Sequence, residues 1–570
     1  MWLIKKGTVM GNKKTNNGLL MRRVAVLGAL SLSACANTSA TINTDPANAE
    51  ITAATFSPSR IEADVIFLAD DMLRGRDTGS EGYRVAANYV AAEFRRLGLK
   101  PMGEKGYFQE VPFQTAEVNQ DTASMMVRTG EKEIALVLGD DFYMGGSVKN
   151  QSGEAHGDVV FLGYGVHAPE LDHDDLKGMD LAGKIALVVS GSPESFHTEI
   201  RAHHGSSTTK LKELLKRGIS GLITVNSASM EKRRPFKRYK RYLGNKSFDW
   251  VMPQDMASKA QRLNAAATVS NSSAAKMFEG ASVSFASAMA SVEKGEFASV
   301  ALASSVNMKR ESILSETFHS PNVIGVLEGS DPKLMNEYVV ISAHLDHIGV
   351  NERAKGDDKI NNGALDNAAG VSVMLEVARA YARADIKPRR SIMFAAVVAE
   401  EKGLLGAEYF AHFPTVDTNS MVANVNLDMP ILLYDFTDVV AFGAERSSLG
   451  EITSAAVNKI GVGLMPDPMP QEGIFTRSDH YRFVQQGIPS VFLVTGWGED
   501  TKGLDGGKIF MDFLGKTYHS PQDEIDQDID YNAGAKFAYV NWLITSAIAN
   551  KDARPAWNEG DFFGDTFSKK

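Results

Sequence analysis

Apolar runs of strand length alternate with helical patterns from about residue 320 to residue 550. Runs rich in Val, Ile, Ala and Met cover 336–343, 391–399, 421–427 and 489–494, and amphipathic helical patterns cover 367–383 and 404–412. This alternation predicts an α/β fold with a mostly parallel central sheet flanked by helices. Such sheets build their binding sites at the carboxyl ends of the strands.

Acidic residues and histidines follow these runs at the predicted strand ends. They are His344, Asp346 and His347 after the first strand, Asp366 in a Gly-rich turn, Glu400 and Glu401 after the next strand, Asp428 after the third, and His519 in a late loop. Each has an ordinary explanation when taken alone; Asp366, for example, could be a helix N-cap. Together they place metal-binding groups at several strand ends, which favours a metal site.

Five short motifs carry a family resemblance. In chain order they are His-x-Asp, Asp-Asn-Ala-x-Gly, Glu-Glu-x-Gly-Leu-x-Gly, Asn-Leu-Asp and Tyr-His-x-Pro-x-Asp. As a set they resemble the co-catalytic zinc aminopeptidase and glutamate carboxypeptidase family, over about residues 55 to 545. The resemblance implies a zinc-aminopeptidase-like α/β domain with a smaller β-rich protease-associated domain inserted in it.

The resemblance also implies two zinc ions per chain and a ligand for each position. Asp366 would bridge the two metals. His344 and Asp428 would complete one site, and Glu401 and His519 would complete the other. Asp346 would be the carboxylate that holds His344 in the correct tautomer. The peptide bond after the bridging residue, Asp366–Asn367, would be cis.

Further residues receive roles from the same resemblance. Glu400 would be the general base, and Tyr518 would donate a hydrogen bond to the tetrahedral oxyanion. A tyrosine packed against the sheet edge would look the same in the sequence. His347 would stay outside the ligand set. The stretch 478–480, Ser-Asp-His, would line the substrate pocket, with a purely structural role as the alternative.

The predicted function is therefore a two-zinc exopeptidase that acts on peptides, with an aminopeptidase preferred. A carboxypeptidase is the first alternative, because Arg477 and Arg482 flank the pocket stretch and could bind a substrate carboxylate. A one-metal glutaminyl cyclase and a non-catalytic receptor are further alternatives. Retention of all five ligands and of Glu400 argues against both.

The N-terminus predicts export. Arg22 and Arg23 precede a short apolar run, and Leu-Ser-Ala-Cys ends at Cys35, which is the only cysteine in the chain. This sequence resembles a bacterial lipobox, so we expect a cell-envelope lipoprotein anchored through a lipid at Cys35. An ordinary signal peptide with an incidental cysteine is the alternative. Met21 is a possible second start.

The composition changes along the chain and predicts a domain order. The expected segments are a signal peptide with lipobox at 1–35, a tether at 36–50, the first part of the peptidase domain at 51–145, an inserted domain at 146–315, the main part at 316–550 and a tail at 551–570. The segment 155–190 resembles a protease-associated domain; alternatively, it belongs to the catalytic sheet. His203 and His204 in the inserted domain are expected on the surface.

Net charge argues against a nucleic-acid partner. The chain carries a formal net charge of −10, and removal of the six Lys and Arg residues before Cys35 takes it to −16. An acidic protein is a poor candidate for binding nucleic acid. A basic run at 232–241 is expected to be a solvated loop, with contact to anionic lipid as the alternative. Oligomeric state stays open.

Overall fold

The structure is a computed structural model that describes residues 51–257 and 262–568. The predicted signal peptide and lipobox with Cys35, and the predicted tether at 36–50, lie outside the described residues. Within the described ranges, no helix combines the length and the apolar character that a membrane crossing requires.

A large mixed sheet forms the centre of the molecule. Across the sheet its main strands are, in spatial order, Ser247–Trp250, Phe108–Val118, Phe318–Leu327, Ser391–Val397, Tyr338–His344, Met421–Leu427, Ser490–Thr495, Asp438–Phe442 and Gly463–Met465. Lys100–Pro101 also pairs with Phe318–Leu327. The four neighbouring strands from Ser391–Val397 to Ser490–Thr495 are parallel, and their outer neighbours run antiparallel.

The α/β class with flanking helices is confirmed, and the predicted strands lie within about two residues of those observed. The prediction of a mostly parallel sheet holds for the central four strands only. These four are apolar and buried on both faces, so their sequences read as continuous hydrophobic runs. Among the antiparallel outer strands, Phe108–Val118 alternates buried and half-buried positions and gives a weaker signal in the sequence.

Helices pack against this sheet and against the smaller sheet described below. Their bounds are Pro58–Leu68, Glu81–Arg96, Thr198–Gly205, Ser207–Lys216, Ala228–Arg233, Gln254–Ala257, Asn271–Met277, Phe285–Lys294, Ala369–Arg383, Leu405–His412, Leu449–Asn458, His480–Val484, Gly506–Lys516, Tyr531–Asn550 and Phe562–Phe567. Ala369–Arg383 is buried along most of its length and packs against Tyr531–Asn550 and Pro58–Leu68. It holds the turn before it, which contains Asp366, against the sheet.

A second, smaller sheet has its own hydrophobic core. Its strands are, in spatial order, Lys132–Ala135, Ser124–Thr129, Val300–Leu314, Ser152–Phe161, Ile185–Val189, Gly221–Val225, Ala265–Val269 and Phe142–Tyr143. Two short hairpins complete the strands: Gly349–Val350 with Ile360–Asn361, and His167–Ala168 with His173–Asp174.

The two sheets share chain at their junction. Val300–Leu314 pairs with the small sheet over most of its length and with Phe108–Val118 of the large sheet at its end. The strands between 124 and 143 also pair into the small sheet, although they precede residue 146. Conversely, Ser247–Trp250 pairs into the large sheet.

The expectation that His203 and His204 lie on the surface is wrong. Both are buried, at 7% and 6% exposure, because Thr198–Gly205 packs against the large domain. His203 hydrogen-bonds with the Tyr481 hydroxyl and meets the edges of aromatic rings in the helix Phe562–Phe567. These partners of His203 lie about 280 and 360 residues away in the chain, so local sequence carries no sign of the contact.

Candidate metal centre

The candidate ligands meet at one edge of the large sheet because its central strands are parallel. His344 is the last residue of Tyr338–His344, and Asp428 follows Met421–Leu427 directly. Glu400 and Glu401 follow the end of Ser391–Val397, after a turn in which Ala399 takes a left-handed φ of 58°. The same edge therefore receives side chains from three neighbouring strands.

One cluster joins His344, Asp366 and Asp428. The His344 Nε2 atom lies 3.2 Å from Asp366 Oδ1 and 3.1 Å from Asp428 Oδ1. All three side chains are buried or nearly so. One imidazole nitrogen and two carboxylates converge here, as the predicted first metal site requires.

A second cluster forms on the other oxygen of Asp366. His519 Nε2 lies 3.2 Å from Asp366 Oδ2 and 3.2 Å from Glu401 Oε2. Asp366 thus presents one carboxylate oxygen to each histidine. A carboxylate shared between two metal ions would need this arrangement, and the residues that meet here are Asp366, Glu401 and His519.

His347 lies closer to the centre than the sequence suggests. Its Nδ1 atom is 2.7 Å from Glu401 Oε1 and 3.8 Å from Asp366 Oδ2, so these three residues also satisfy the geometry of a metal cluster. His347 faces the Glu401 oxygen that His519 does not use. Its shorter distance to Glu401 than to Asp366 fits a residue that orients Glu401.

The structure changes how Asp346 supports His344. The His344 Nδ1 atom is 3.1 Å from the backbone carbonyl oxygen of Asp346, whereas the nearer carboxylate oxygen is 4.0 Å away. The carboxylate instead accepts hydrogen bonds from the Glu400 backbone N–H at 3.1 Å and the Thr78 hydroxyl at 3.2 Å. The hydrogen-bond distance to His344 therefore belongs to the main chain of Asp346, whereas its side chain holds the loop that carries Glu400.

The turn that carries Asp366 is held by side chains on both sides. Asp523 is buried and accepts hydrogen bonds from the backbone N–H groups of Leu365 and Asp366, at 3.0 and 2.9 Å. Asn367 donates to the Leu427 carbonyl at 2.9 Å and accepts from the Met429 N–H at 3.2 Å. The Asp366–Asn367 peptide bond is cis, as the resemblance implies.

Arg76 is a supporting residue that the sequence did not identify. Its guanidinium group is buried and donates to the carbonyls of Leu345 at 3.0 Å, Asn362 at 2.7 Å and Gly363 at 3.0 Å. It therefore connects the loop after His344 to the turn before Asp366. The Gly- and Arg-rich turn at 73–79 was visible in the sequence, but nothing in it indicated which arginine turns inward.

A cavity of about 560 Å³ opens beside the two clusters. Asp366, Glu400 and Asp428 line one end of it, and Tyr518 lines a side wall. The Tyr518 ring stacks on the His519 ring, with centroids 3.7 Å apart. The remaining wall is largely apolar and includes Phe442, Phe492, Val494, Trp497, Phe510 and Leu514.

The stretch 478–480 divides between the cavity and the core. Ser478 lines the cavity and donates a hydrogen bond to Asp428 Oδ2 at 2.6 Å. Asp479 and His480 are fully buried, and His480 packs between Phe475 and Phe492. Of the three, only Ser478 contacts a candidate ligand directly.

The electrostatics of both clusters favour positive charge. Burial opposes the charged form of His519, but its contacts with Asp366 and Glu401 raise its pKa to about 10. Burial likewise opposes a charged His344, yet Asp428 and Asp366 raise its pKa well above the ordinary value. Burial raises the pKa of Glu401, but His347 and His519 outweigh it and lower that pKa to about 2.

Three buried carboxylates with two imidazole nitrogens form a site that divalent cations fit. Buried charges need partners of opposite sign. Zinc takes nitrogen and oxygen ligands of these types. Burial is the largest influence on Glu400 and raises its pKa well above the ordinary value; the charge of His344 opposes this shift, and the charges of Asp428 and Glu401 add to it. The two adjacent glutamates therefore differ: Glu401 faces the histidines, and Glu400 faces the cavity.

A model of Peptidase family M28 matches residues 322–545, which include every candidate ligand. The match covers 224 of the 570 residues and includes the four parallel strands of the large sheet. Over 256 residues the chain is 26% identical to Aminopeptidase YwaD of Bacillus subtilis (strain 168), an alignment that covers 44% of this chain and 48% of that protein. Over 108 residues it is 37% identical to a probable zinc metalloprotease of Pyrenophora teres f. teres (strain 0-1), covering 19% and 22%.

The chain thus spans at most about half the length of these curated relatives. Among solved structures, an aminopeptidase from Aneurinibacillus sp. strain AM-1 is similar with a TM-score of 0.47 and 20% identity. That comparison covers 88% of this chain and 96% of the other.

Proposed function

We propose that this protein is a zinc-dependent exopeptidase that holds two zinc ions and removes residues from the amino end of peptides. The observation that carries the proposal is Asp366. Its two carboxylate oxygens face His344 and His519 separately, beside a cavity lined by Glu400. The match to the M28 model and the aminopeptidase relatives support the same reaction class.

Each zinc would be held by residues already named: His344 and Asp428 on one side, Glu401 and His519 on the other, with Asp366 shared. Zinc, when bound at such a site, polarises a carbonyl group and lowers the pKa of water. His347 is assigned to Glu401, whose Oε1 atom lies 2.7 Å from His347 Nδ1, and not to a metal in this proposal.

Glu400 takes the role of general base in this proposal. It accepts a proton from the attacking water and returns that proton to the leaving amine as the peptide bond breaks. The hydrogen bond from its backbone N–H to Asp346 fixes the loop from which it projects. Tyr518 lines the same cavity and can donate its hydroxyl proton to the oxyanion that develops on the scissile carbonyl.

The charges around the cavity favour the amino end of the substrate. Arg482 forms an ion pair with Glu408 at 2.9 Å and donates a hydrogen bond to the Gly403 carbonyl. It does not line the cavity. Arg477 does line the cavity but faces Glu472 at 3.7 Å. Each arginine that could bind a substrate carboxylate therefore has an acidic neighbour of its own, which favours recognition of the amino end.

The apolar wall supports a preference for a large hydrophobic residue at the cleaved end. Phe492, Trp497 and Phe510 can bury such a side chain, whereas a charged one would lose its hydration without gaining a partner there.

A substrate panel tests the proposal. We expect the zinc-loaded protein to hydrolyse leucyl- and phenylalanyl-p-nitroanilide far faster than lysyl- or glutamyl-p-nitroanilide. N-acetylated versions of the same compounds should not be cleaved, because acetylation removes the ammonium group. Release of a C-terminal residue from N-acetylated dipeptides, without cleavage of the free-amine substrates, would instead establish a carboxypeptidase.

We also propose that the protein is exported and anchored to the cell envelope through a lipid on Cys35. The support is the Leu-Ser-Ala-Cys sequence after a short apolar run, in a chain with no other cysteine.

A further inference from the structure

A second cavity, of about 500 Å³, lies at the junction of the two sheets. It shares no lining residue with the cavity beside Glu400. Arg310 of Val300–Leu314 and Trp250 of Ser247–Trp250 contribute to its wall, and Leu211 and Leu215 contribute from the helix Ser207–Lys216. Each sheet and a helix of the smaller domain therefore supply part of the wall.

Arg310 is the unusual feature of this cavity. Its residue exposure is 6%, yet within the described residues its side chain makes one hydrogen bond, from Nη2 to the Asn150 carbonyl at 2.7 Å. Its Nε atom is buried without a partner. Among the described residues, none of its guanidinium nitrogens lies within ion-pair distance of a carboxylate, and no Asp or Glu lines the cavity.

An arginine keeps its charge inside proteins, so burial leaves Arg310 as an uncompensated cation. Burial lowers the pKa of Arg310, and no neighbouring acid opposes that change. Other buried arginines have more partners: Arg379 pairs with Asp64 and Glu93, and Arg446 pairs with Glu199 and Asp561. Arg76 has no acidic partner but donates to four backbone carbonyls, whereas the Arg310 side chain donates to one.

A second buried donor lies in the same wall. The Trp250 indole Nε1 atom has no hydrogen-bond partner, although Trp250 is only 2% exposed. Lys149 also lines the cavity, but it is neutralised by Asp249 at 2.7 Å and lies 5.7 Å above the Trp250 ring. The Arg310 guanidinium group and the Trp250 indole N–H thus both have an unused donor in a cavity that no carboxylate lines.

The rest of the wall is mainly aliphatic. Leu211, Leu215, Leu263, Val251 and Met252 line it, and each is half-buried. A ligand that satisfied Arg310 and also covered these side chains would carry an anionic head on an apolar body. A guanidinium group matches the planar, two-oxygen shape of a carboxylate.

We propose that this cavity is a binding site for a small aliphatic carboxylate, whose head group pairs with Arg310 and whose hydrocarbon body packs against Leu211, Leu215 and Leu263. The site is separate from the metal centre, and the proposal does not depend on the exopeptidase activity. A fatty acid and the carboxyl end of an apolar peptide share this chemistry.

Isothermal titration of the zinc-loaded full-length protein tests the site with two probes. These are decanoate, below its micelle concentration, and N-acetyl-Leu-Leu. We expect saturable binding of at least one probe, and the one that binds identifies the source of the carboxylate. The Arg310→Met variant should bind that probe about tenfold to a hundredfold more weakly, the range for losing a hydrogen bond to a charged group. Decanol, which has no carboxylate, should bind to wild type and to Arg310→Met with the same affinity.

A second variant covers the case in which Arg310→Met fails to fold. Leu211→Glu places a carboxylate at the half-exposed wall and should abolish binding of the anionic probe. Lys212→Glu, on the exposed side of the same helix, is the matched control and should bind as wild type does. Equal affinity in wild type and Leu211→Glu, equal affinity in a folded Arg310→Met, or no saturable binding of either probe to wild type would overturn the proposal.

Discussion

Replacing Arg76 with methionine should destabilise the loops that position the candidate metal ligands, although Arg76 is not itself a candidate ligand. The side chain of Arg76 is fully buried and donates hydrogen bonds to the carbonyls of Leu345, Asn362 and Gly363, and to that of Leu68. Methionine has a similar length but no donor. The substitution therefore leaves four buried carbonyl groups short of a partner.

The expected loss follows from the number of contacts. A hydrogen bond from a charged donor contributes about 1.5–3 kcal/mol, but contacts that share one side chain do not add fully. We expect the free energy of unfolding to fall by about 3–5 kcal/mol, near the upper end for single substitutions. Turnover should fall as well, because Leu345 and Gly363 position His344 and Asp366.

Urea denaturation of the metal-free proteins gives the stability, and hydrolysis of leucyl-p-nitroanilide after zinc loading gives the activity. Arg74→Met is the matched control, since Arg74 lies two residues away in the same turn and is exposed. It should change stability by less than about 0.5 kcal/mol. If Arg76→Met unfolds at the same urea concentration as Arg74→Met, the supporting role of Arg76 is refuted.

Three other substitutions test separate parts of the account. Glu400→Gln should reduce turnover by about a hundredfold to ten-thousandfold with zinc content unchanged. Because burial raises the pKa of Glu400, the contribution of Glu400 to folding stability is lost as pH rises. The metal-free variant should therefore melt at a higher temperature than wild type at pH 8 but not at pH 4. Burial lowers the pKa of His203 to about 3, so the contribution of His203 to folding stability is present above about pH 6.5 and is lost as pH falls towards 3. His203→Gln should therefore reduce the drop in melting temperature between pH 7 and pH 4.5. Cys35→Ser should move the protein from the membrane fraction to the soluble fraction of cells that export it, and an unchanged distribution would contradict a lipid anchor.

Sequence patterns were most informative where the structure is locally determined. The four central strands are buried on both faces, so each appears as an apolar run, and the polar residue that ends each run marks the site edge. His344, Asp428 and Glu401 could be located for this reason. Asp366 and His519 do not end an apolar run. They were assigned from the order of the five motifs and not from hydrophobic periodicity.

Contacts between distant segments carried no such signal. Arg76 donates to backbone carbonyls that lie about 270 to 290 residues away in the chain. Because every residue has a backbone carbonyl, the sequence does not indicate which ones accept these hydrogen bonds. The burial of His203 depends on the helix Phe562–Phe567 in the same way. For Asp346, the sequence identified the residue, but the choice between its carboxylate and its carbonyl depends on local backbone geometry.

The most direct test of the central claim is the zinc content of the purified mature protein, measured by inductively coupled plasma mass spectrometry after dialysis against buffered zinc. The arrangement of His344, Asp428, Glu401 and His519 around Asp366 predicts two zinc ions per chain. One zinc ion per chain, or none, would contradict a co-catalytic centre.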